Sequence, residues 1–292
     1  LVTHCSTWWL RDVRTHDLQS LLQAVAQGHS LSGATLRHVK ALLSGIFNHA
    51  RQQGYLDGAN PVLGVGIPKA RPASDTYAYT LEEVLHIISA LPQPAATIAA
   101  TAAFTGLRRG ELQGLLWEHY TGEEIRVTRS VWLGTIDEPK TRTSKAPVPV
   151  IAPLRKMLDA YRAGCGNPAT GAMFANTVGT PLCLNNVTNR CIQPRLEFCQ
   201  HCGESRAGHK AKHQFERDDA RRRWHGWHAF RRGLGTNLYR LGVPDKTIQA
   251  ILRHANVSTT MSFYIKTVDK DSVKAMKALE HSVRLIVRRG KG

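Results

Sequence analysis

A mainly α fold with a small antiparallel β-sheet (α+β), divided into two domains, is predicted for this 292-residue chain by three observations. Apolar residues recur at helical spacing through most of the sequence, as in Leu36, Val39, Leu42, Leu43, Ile46 and Phe47. Between residues 123 and 151 the period shortens to two, with Ile125 and Val127, then Val148 and Val150, alternating with other residues. The stretch ANPVLGVGIPKARPASDTYAYT, with Pro61, Pro68 and Pro72, carries too many breakers for a regular element and separates the two halves. The expected domains are therefore 1–67 and 80–292, joined by a linker at 68–79.

Taken in order, the first domain reads as helices. Ser32 is placed to cap the one that carries Leu36 to Phe47, and Gly54 to stop it. Arg37, Lys40 and Asn48 fall off the apolar stripe, as a solvated face or one lying against phosphates. The second domain opens at TLEEV, where Thr80 and Glu83 make a capping box. An alanine-rich helix follows from Pro94 and breaks at Thr105 and Gly106. The next starts near Leu107, with Leu112, Leu115 and Leu116 facing inward, Arg108 in its first turn and Glu111 one turn on. After the short strands, with Lys140 in the turn region between them, a helix runs from Pro153 to about Arg162. In HAFRRGLGTNLYRLG, Phe230, Leu234, Leu238 and Leu241 form the core stripe, so His228 and Arg231 share another side. PDKTIQAILRHA buries Ile248, Ile251 and Leu252 and ends at His254, and STTMSFYIK starts at a Ser cap and carries Tyr264. The chain beyond Tyr264 continues as a helix with Val273, Met276, Leu279 and Val283 in a stripe.

Composition narrows the function. The formal net charge of +17, from 39 Lys and Arg against 22 Asp and Glu, calls for a polyanionic partner, with nucleic acid first. No apolar run approaches the roughly 18 residues that cross a bilayer, and the basic residues are spread along the chain, so no membrane role is expected. LVTHCSTWWLRDV lacks the basic and apolar regions of a signal peptide, and six cysteines in a chain this long are no disulfide framework, so the cytoplasm is the expected compartment. Leu1 in place of Met leaves room for an upstream segment.

A polar insertion, CQHCGESRAGHKAKHQFERDDARRR, places Cys199, Cys202, His209 and His213 at C-x2-C-x6-H-x3-H spacing. Two thiolates and two imidazoles suit a tetrahedral structural zinc, and the segment has few apolar residues to order it otherwise. The alternative is a disordered loop with two free thiols, and His201 is a competing ligand.

TGLRRGEL, then HAFR, then LRHANVSTTMSFY, in this order, resembles the signature of the tyrosine recombinases, the phage-integrase family of site-specific DNA recombinases. The resemblance covers about residues 5 to 275. It implies a C-shaped, two-domain DNA clamp, with a helical core-binding domain at 1–67 and a catalytic domain at 80–292. It matches Arg108 to the first catalytic arginine and Glu111 to its supporting acid. Lys140 matches the lysine of the strand hairpin, with Lys145 near enough to leave that choice open. His228 and Arg231 match the H-x-x-R pair, His254 the following histidine and Tyr264 the nucleophile. Leu252-Arg253-His254 departs from the family's usual Leu-Gly-His. His225 is a rival base whose spacing to Arg231 does not fit the motif.

The chemistry so implied is two transesterifications on double-stranded DNA through a 3'-phosphotyrosine, with no cofactor needed for catalysis. The implied assembly is a homotetramer on two DNA sites, monomeric or dimeric off DNA, serving a mobile genetic element. In it the last helix docks on a neighbouring protomer or, as an equal alternative, on its own domain. Two competing functions remain: a catalytically silent recombinase-like regulator, and a type IB topoisomerase-like enzyme. Every candidate catalytic side chain is present, which the first leaves unexplained, and the short C-terminus disfavours the second.

Overall fold

The computed structural model describes residues 5–72, 76–138, 147–218 and 223–253. Contacts divide the chain between Thr76 and Tyr77 into two compact units. No helix among the described residues is long and apolar enough to cross a membrane.

The first unit is built on helices α1 (Thr15–His29) and α2 (Gly33–Gln52). Ser32 caps α2, its hydroxyl accepting from the Thr35 N–H at 3.2 Å. Leu18, Leu21, Leu22 and Val25 of α1 meet Leu43 and Phe47 of α2 and Val62 and Val65 of the following loop. Each such side chain contributes about 1.5–3 kcal/mol on burial. Asn60, 3% exposed, pins that loop: its amide donates to the Ser44 carbonyl and to Asn48 Oδ1, and its Oδ1 accepts from the Val62 N–H. Lys40 donates to the Val65 carbonyl at 2.5 Å, a use of this lysine the sequence did not indicate. The expected stripe is only partly inward. Leu42 and Ile46 are exposed, because α1 and the loop cover a single line along α2 through Leu36, Leu43, Phe47 and Ala50.

In the second unit, Thr80 and Glu83 form the expected capping box at the start of α3 (Leu81–Ala90). Helix α4 (Ala95–Thr105) is apolar nearly all round and buried almost throughout. It packs against α3 and, further along the chain, α6 (Ala152–Gly164) and α9 (Trp227–Arg240). Its polar side chains are satisfied four residues back along the chain: the Thr97, Thr101 and Thr105 hydroxyls donate to Gln93 Oε1, the Thr97 carbonyl and the Thr101 carbonyl.

Gly106 ends α4 in the left-handed conformation at φ 62°, and a side chain there would meet Leu252 and Leu234 at 2.9 and 3.0 Å. Helix α5 (Arg109–Gln113) follows. It is shorter than expected, so Leu115 and Leu116 lie beyond it, and Arg108 is its N-cap and not part of its first turn.

The strands are short and antiparallel, in two pairs. β1 (Glu124–Ile125) pairs with β4 (Val148–Pro149), joining the two alternating stretches with Ile125 opposite Val148. β2 (Ser130–Trp132) and β3 (Thr135–Asp137) form a hairpin, and β2 packs on α5 so closely that a side chain at Gly114 would strike the Arg129 carbonyl at 2.7 Å. Short helices α7 (Leu184–Val187) and α8 (Gln193–Leu196) flank a π-helical turn at Thr188–Ile192.

Helix α9 lies against the extended segment at Tyr77–Thr80. A side chain at Gly233 would strike the Tyr79 carbonyl, and Asn237 and Arg232 donate to the Tyr79 and Tyr77 carbonyls at 3.2 and 2.7 Å. Phe230 is buried and Leu234 and Leu238 are partly so, but Leu241, expected in the same stripe, is exposed where α9 ends. Helix α10 (Asp245–Leu252) buries Ile248 and Leu252, with Ile251 half-buried.

Candidate active site

Four of the expected residues come from two places in the chain, the α4–α5 junction and the first turns of α9. Glu111 stands at the centre of the first. Its carboxylate accepts from the Arg108 N–H and from Arg108 Nη1, each at 2.9 Å, and from Arg253 Nη2 at 2.6 Å. With its side chain 6% exposed this is no surface ion pair, and two guanidiniums share its two oxygens. The Arg108 side chain is 41% exposed, so one face is open to solvent while Nη1 is held.

Arg253 is the residue the sequence did not place. It ends α10 in the left-handed conformation, φ 54° and ψ 44°, where the related pattern has glycine, and its side chain is buried. The backbone thus keeps the shape that glycine gives, and the added side chain turns inward to Glu111. Burial lowers the pKa of this guanidinium and the Glu111 carboxylate opposes that, so it remains a cation.

Arg231 departs from expectation in burial. It is 2% exposed, and its Nη1 and Nη2 donate to the Gly106 and Leu252 carbonyls. Those carbonyls end α4 and α10, so one α9 side chain satisfies the ends of two other helices and brings them to the same place. His228, one turn earlier, is exposed over part of its surface and walled in over the rest. The desolvating walls around it come first, then the cations of Arg232, Arg231 and Arg108, and together they hold its pKa down at about 4, leaving a neutral imidazole at pH 7. His225 is engaged elsewhere, stacked on Tyr77 with ring centroids 3.6 Å apart.

Lys140, its rival Lys145, His254 and Tyr264 lie outside the described residues. The described hairpin reaches Glu138, two positions before Lys140.

The second cluster is separate. Cys199, Cys202, His209 and His213 bring one ligand atom each to within 4.8 Å of one another. Burial raises the Cys199 thiol, but N–H groups of Cys202, Glu216 and His201 together with the His213 ring outweigh it and hold the pKa at about 5. His201 is turned to Glu216, Nε2 to Oε2 2.9 Å.

In a mainly helical domain, cations gathered around a neutral imidazole define a site that favours an anion over any other ligand. Residues 77–270 match the phage integrase family, and the chain belongs to that family, the tyrosine recombinases. A tyrosine recombinase XerC-like protein of Caldanaerobacter subterraneus subsp. tengcongensis is 28% identical over 288 residues. That match covers 85% of this chain and 66% of the relative, so the chain spans just under two thirds of that relative's length. Among solved structures, the Tn1549 transposon integrase in complex with transposon right end DNA aligns with a TM-score of 0.69 at 18% identity, over 94% of this chain and 87% of that one. A lambda integrase tetramer bound to a Holliday junction aligns with a TM-score of 0.58 at 18% identity, over 87% and 65%. These likenesses carry the fold: the second unit has the tyrosine recombinase catalytic fold, mostly helical with small antiparallel sheets.

Proposed function

We propose that the chain is a site-specific DNA recombinase that cuts and rejoins double-stranded DNA through a 3'-phosphotyrosine intermediate. The phenolic oxygen of Tyr264 attacks the scissile phosphorus, the bond to the 5'-oxygen breaks, and that oxygen takes a proton and leaves as a hydroxyl. Attack by the partner strand's 5'-hydroxyl on the phosphotyrosine then releases Tyr264 and reseals the backbone. The phosphodiester energy is carried in the covalent link, so neither nucleotide nor catalytic metal is needed.

The observation that carries this reading is the meeting of Arg108, Glu111, His228 and Arg231 around the ends of α4 and α10. Arg108, held from behind by Glu111, offers its open face to a phosphate oxygen. Arg231 adds a second cation to the same neighbourhood. His228, kept neutral, is able to accept the Tyr264 proton, which a phenol with an ordinary pKa near 10 does not give up readily at pH 7. The hairpin packed on α5 favours Lys140, or Lys145, as the donor to the leaving 5'-oxygen, and His254 follows Arg253 directly, where it donates to a phosphate oxygen. The first unit, with its helices, serves as the core-binding domain. A homotetramer on two DNA sites follows for a chain that exchanges four strands, in keeping with integration or excision of a mobile element.

Incubation with nicked suicide duplexes tests this. The wild-type chain is expected to form a covalent adduct at Tyr264, and Tyr264→Phe to form none while binding duplex nearly as well, because one hydroxyl adds little to many phosphate contacts. Adducts persisting in Tyr264→Phe would remove that residue from the nucleophile role. Binding without any adduct in the wild type would point to a silent regulator, and adducts from a monomer that relaxes DNA without joining two sites to topoisomerase-like action.

A further inference from the structure

We infer that Cys199, Cys202, His209 and His213 hold a structural zinc ion that fastens the segment from Phe198 to Asp218, a site independent of the recombinase reading. Tetrahedral zinc, with Zn–S about 2.3 Å and Zn–N about 2.0 Å, sets its ligand atoms roughly 3.3–3.8 Å apart. Cys199 Sγ lies 3.2 Å from His213 Nε2, the two Nε2 atoms of His209 and His213 are 3.3 Å apart, and all four donors fall within 4.8 Å. The two cysteines are brought to one side by their backbone. The Gly203 N–H returns to the Cys199 carbonyl, closing a tight turn between the cysteines, with Gly203 at φ 71°.

Beside a few polar contacts, such as Arg206 Nε on Glu197 Oε2 at 2.9 Å, the segment has no apolar core among its described residues. It is a pair of short antiparallel contacts, Phe198 with Ser205 and Cys199 with Arg217, closed at its base by the Asp218 N–H on the Phe198 carbonyl. Among its described residues from 198 to 218 only Cys199 is buried. A loop of this length without an apolar core needs a cross-link, and a metal bound by four side chains supplies it. Two thiolates with two imidazoles in tetrahedral array select zinc, and four protein ligands leave no open position for catalysis. His201 is excluded from the set by its pairing with Glu216.

The fastened lobe has a stated place in the fold. It leaves α8 at Leu196 and leads on to Trp224 and α9, and Phe198 at its base lines a small cavity with Tyr79, Ile87 and Leu196. The lobe that zinc fastens therefore precedes, in the sequence, the helix that carries His228 and Arg231.

The full-length chain, purified without chelator, is expected to carry one zinc per chain by elemental mass spectrometry. After chelation and reduction it is expected to take up one cobalt(II) with the intense visible bands of a tetrahedral site and a thiolate charge-transfer band. The double variant Cys199→Ser, Cys202→Ser is expected to lose the metal, and His201→Ala to keep it. Limited proteolysis of the metal-free protein should cut between residues 200 and 216. The wild-type cobalt spectrum is decisive whether or not the variants fold: an octahedral spectrum, or no uptake by the reduced protein, overturns the site, as does metal retained by the double cysteine variant.

Discussion

A histidine that accepts a proton at neutral pH has to be neutral to begin with, and His228 is made so by its surroundings. Its folded pKa of about 4 lies below the ordinary 6.5, so between those values the unfolded chain binds the proton more tightly. The associated stability is complete above pH 6.5 and is lost as pH falls toward 4. The ring is exposed, so the part of the shift owed to Arg232, Arg231 and Arg108 is screened by salt. An NMR titration of the free protein is expected to show His228 protonating near pH 4 at low salt and moving upward at high salt. A midpoint at 6.5 in dilute buffer would refute this electrostatic picture. The type of side chain at this position was readable from the H-x-x-R spacing. Its protonation was not, because that depends first on how far the packed walls desolvate the ring, and only then on the nearby cations Arg232, Arg231 and Arg108.

At the scale of elements, most starts and stops were legible because they are local. Ser32, the Thr80–Glu83 box and the Gly106 stop each act within four residues of their own position. What faces inward was less legible. Leu42 and Leu241 have the right spacing, but the neighbouring elements do not reach them, and no periodicity encodes how wide a stripe is covered. The end of α10 is the clearest case of a contact invisible in sequence, since Arg253 and Glu111 are 142 positions apart. Arg253→Gly relieves about 1 kcal/mol of left-handed backbone strain. Breaking a buried ion pair costs about 3–5 kcal/mol, and with Arg108 still on Glu111 the low end applies, for a net loss of about 2 kcal/mol. Urea unfolding measures it, and a variant as stable as the parent would show that the α10 end does not depend on this pair.

For the molecule as a whole, the excess of basic residues would make the proposed association with duplex DNA a counterion-release process. If the protein contacts six or more phosphates, affinity should fall roughly 10³-fold between about 50 mM and about 200 mM salt. Fluorescence anisotropy across that range tests it, and a flat dependence would rule out an electrostatic clamp. The family signature was readable because motif order is a property of the chain alone. The burial of Arg231 was not, and it carries a consequence for genetics. The guanidinium that ties the ends of α4 and α10 together is the same one that the proposed function assigns to a phosphate, so tolerance at position 231 is filtered by folding before chemistry is ever sampled. An inactive Arg231 mutant therefore reports on the reaction only when its melting temperature matches that of the parent.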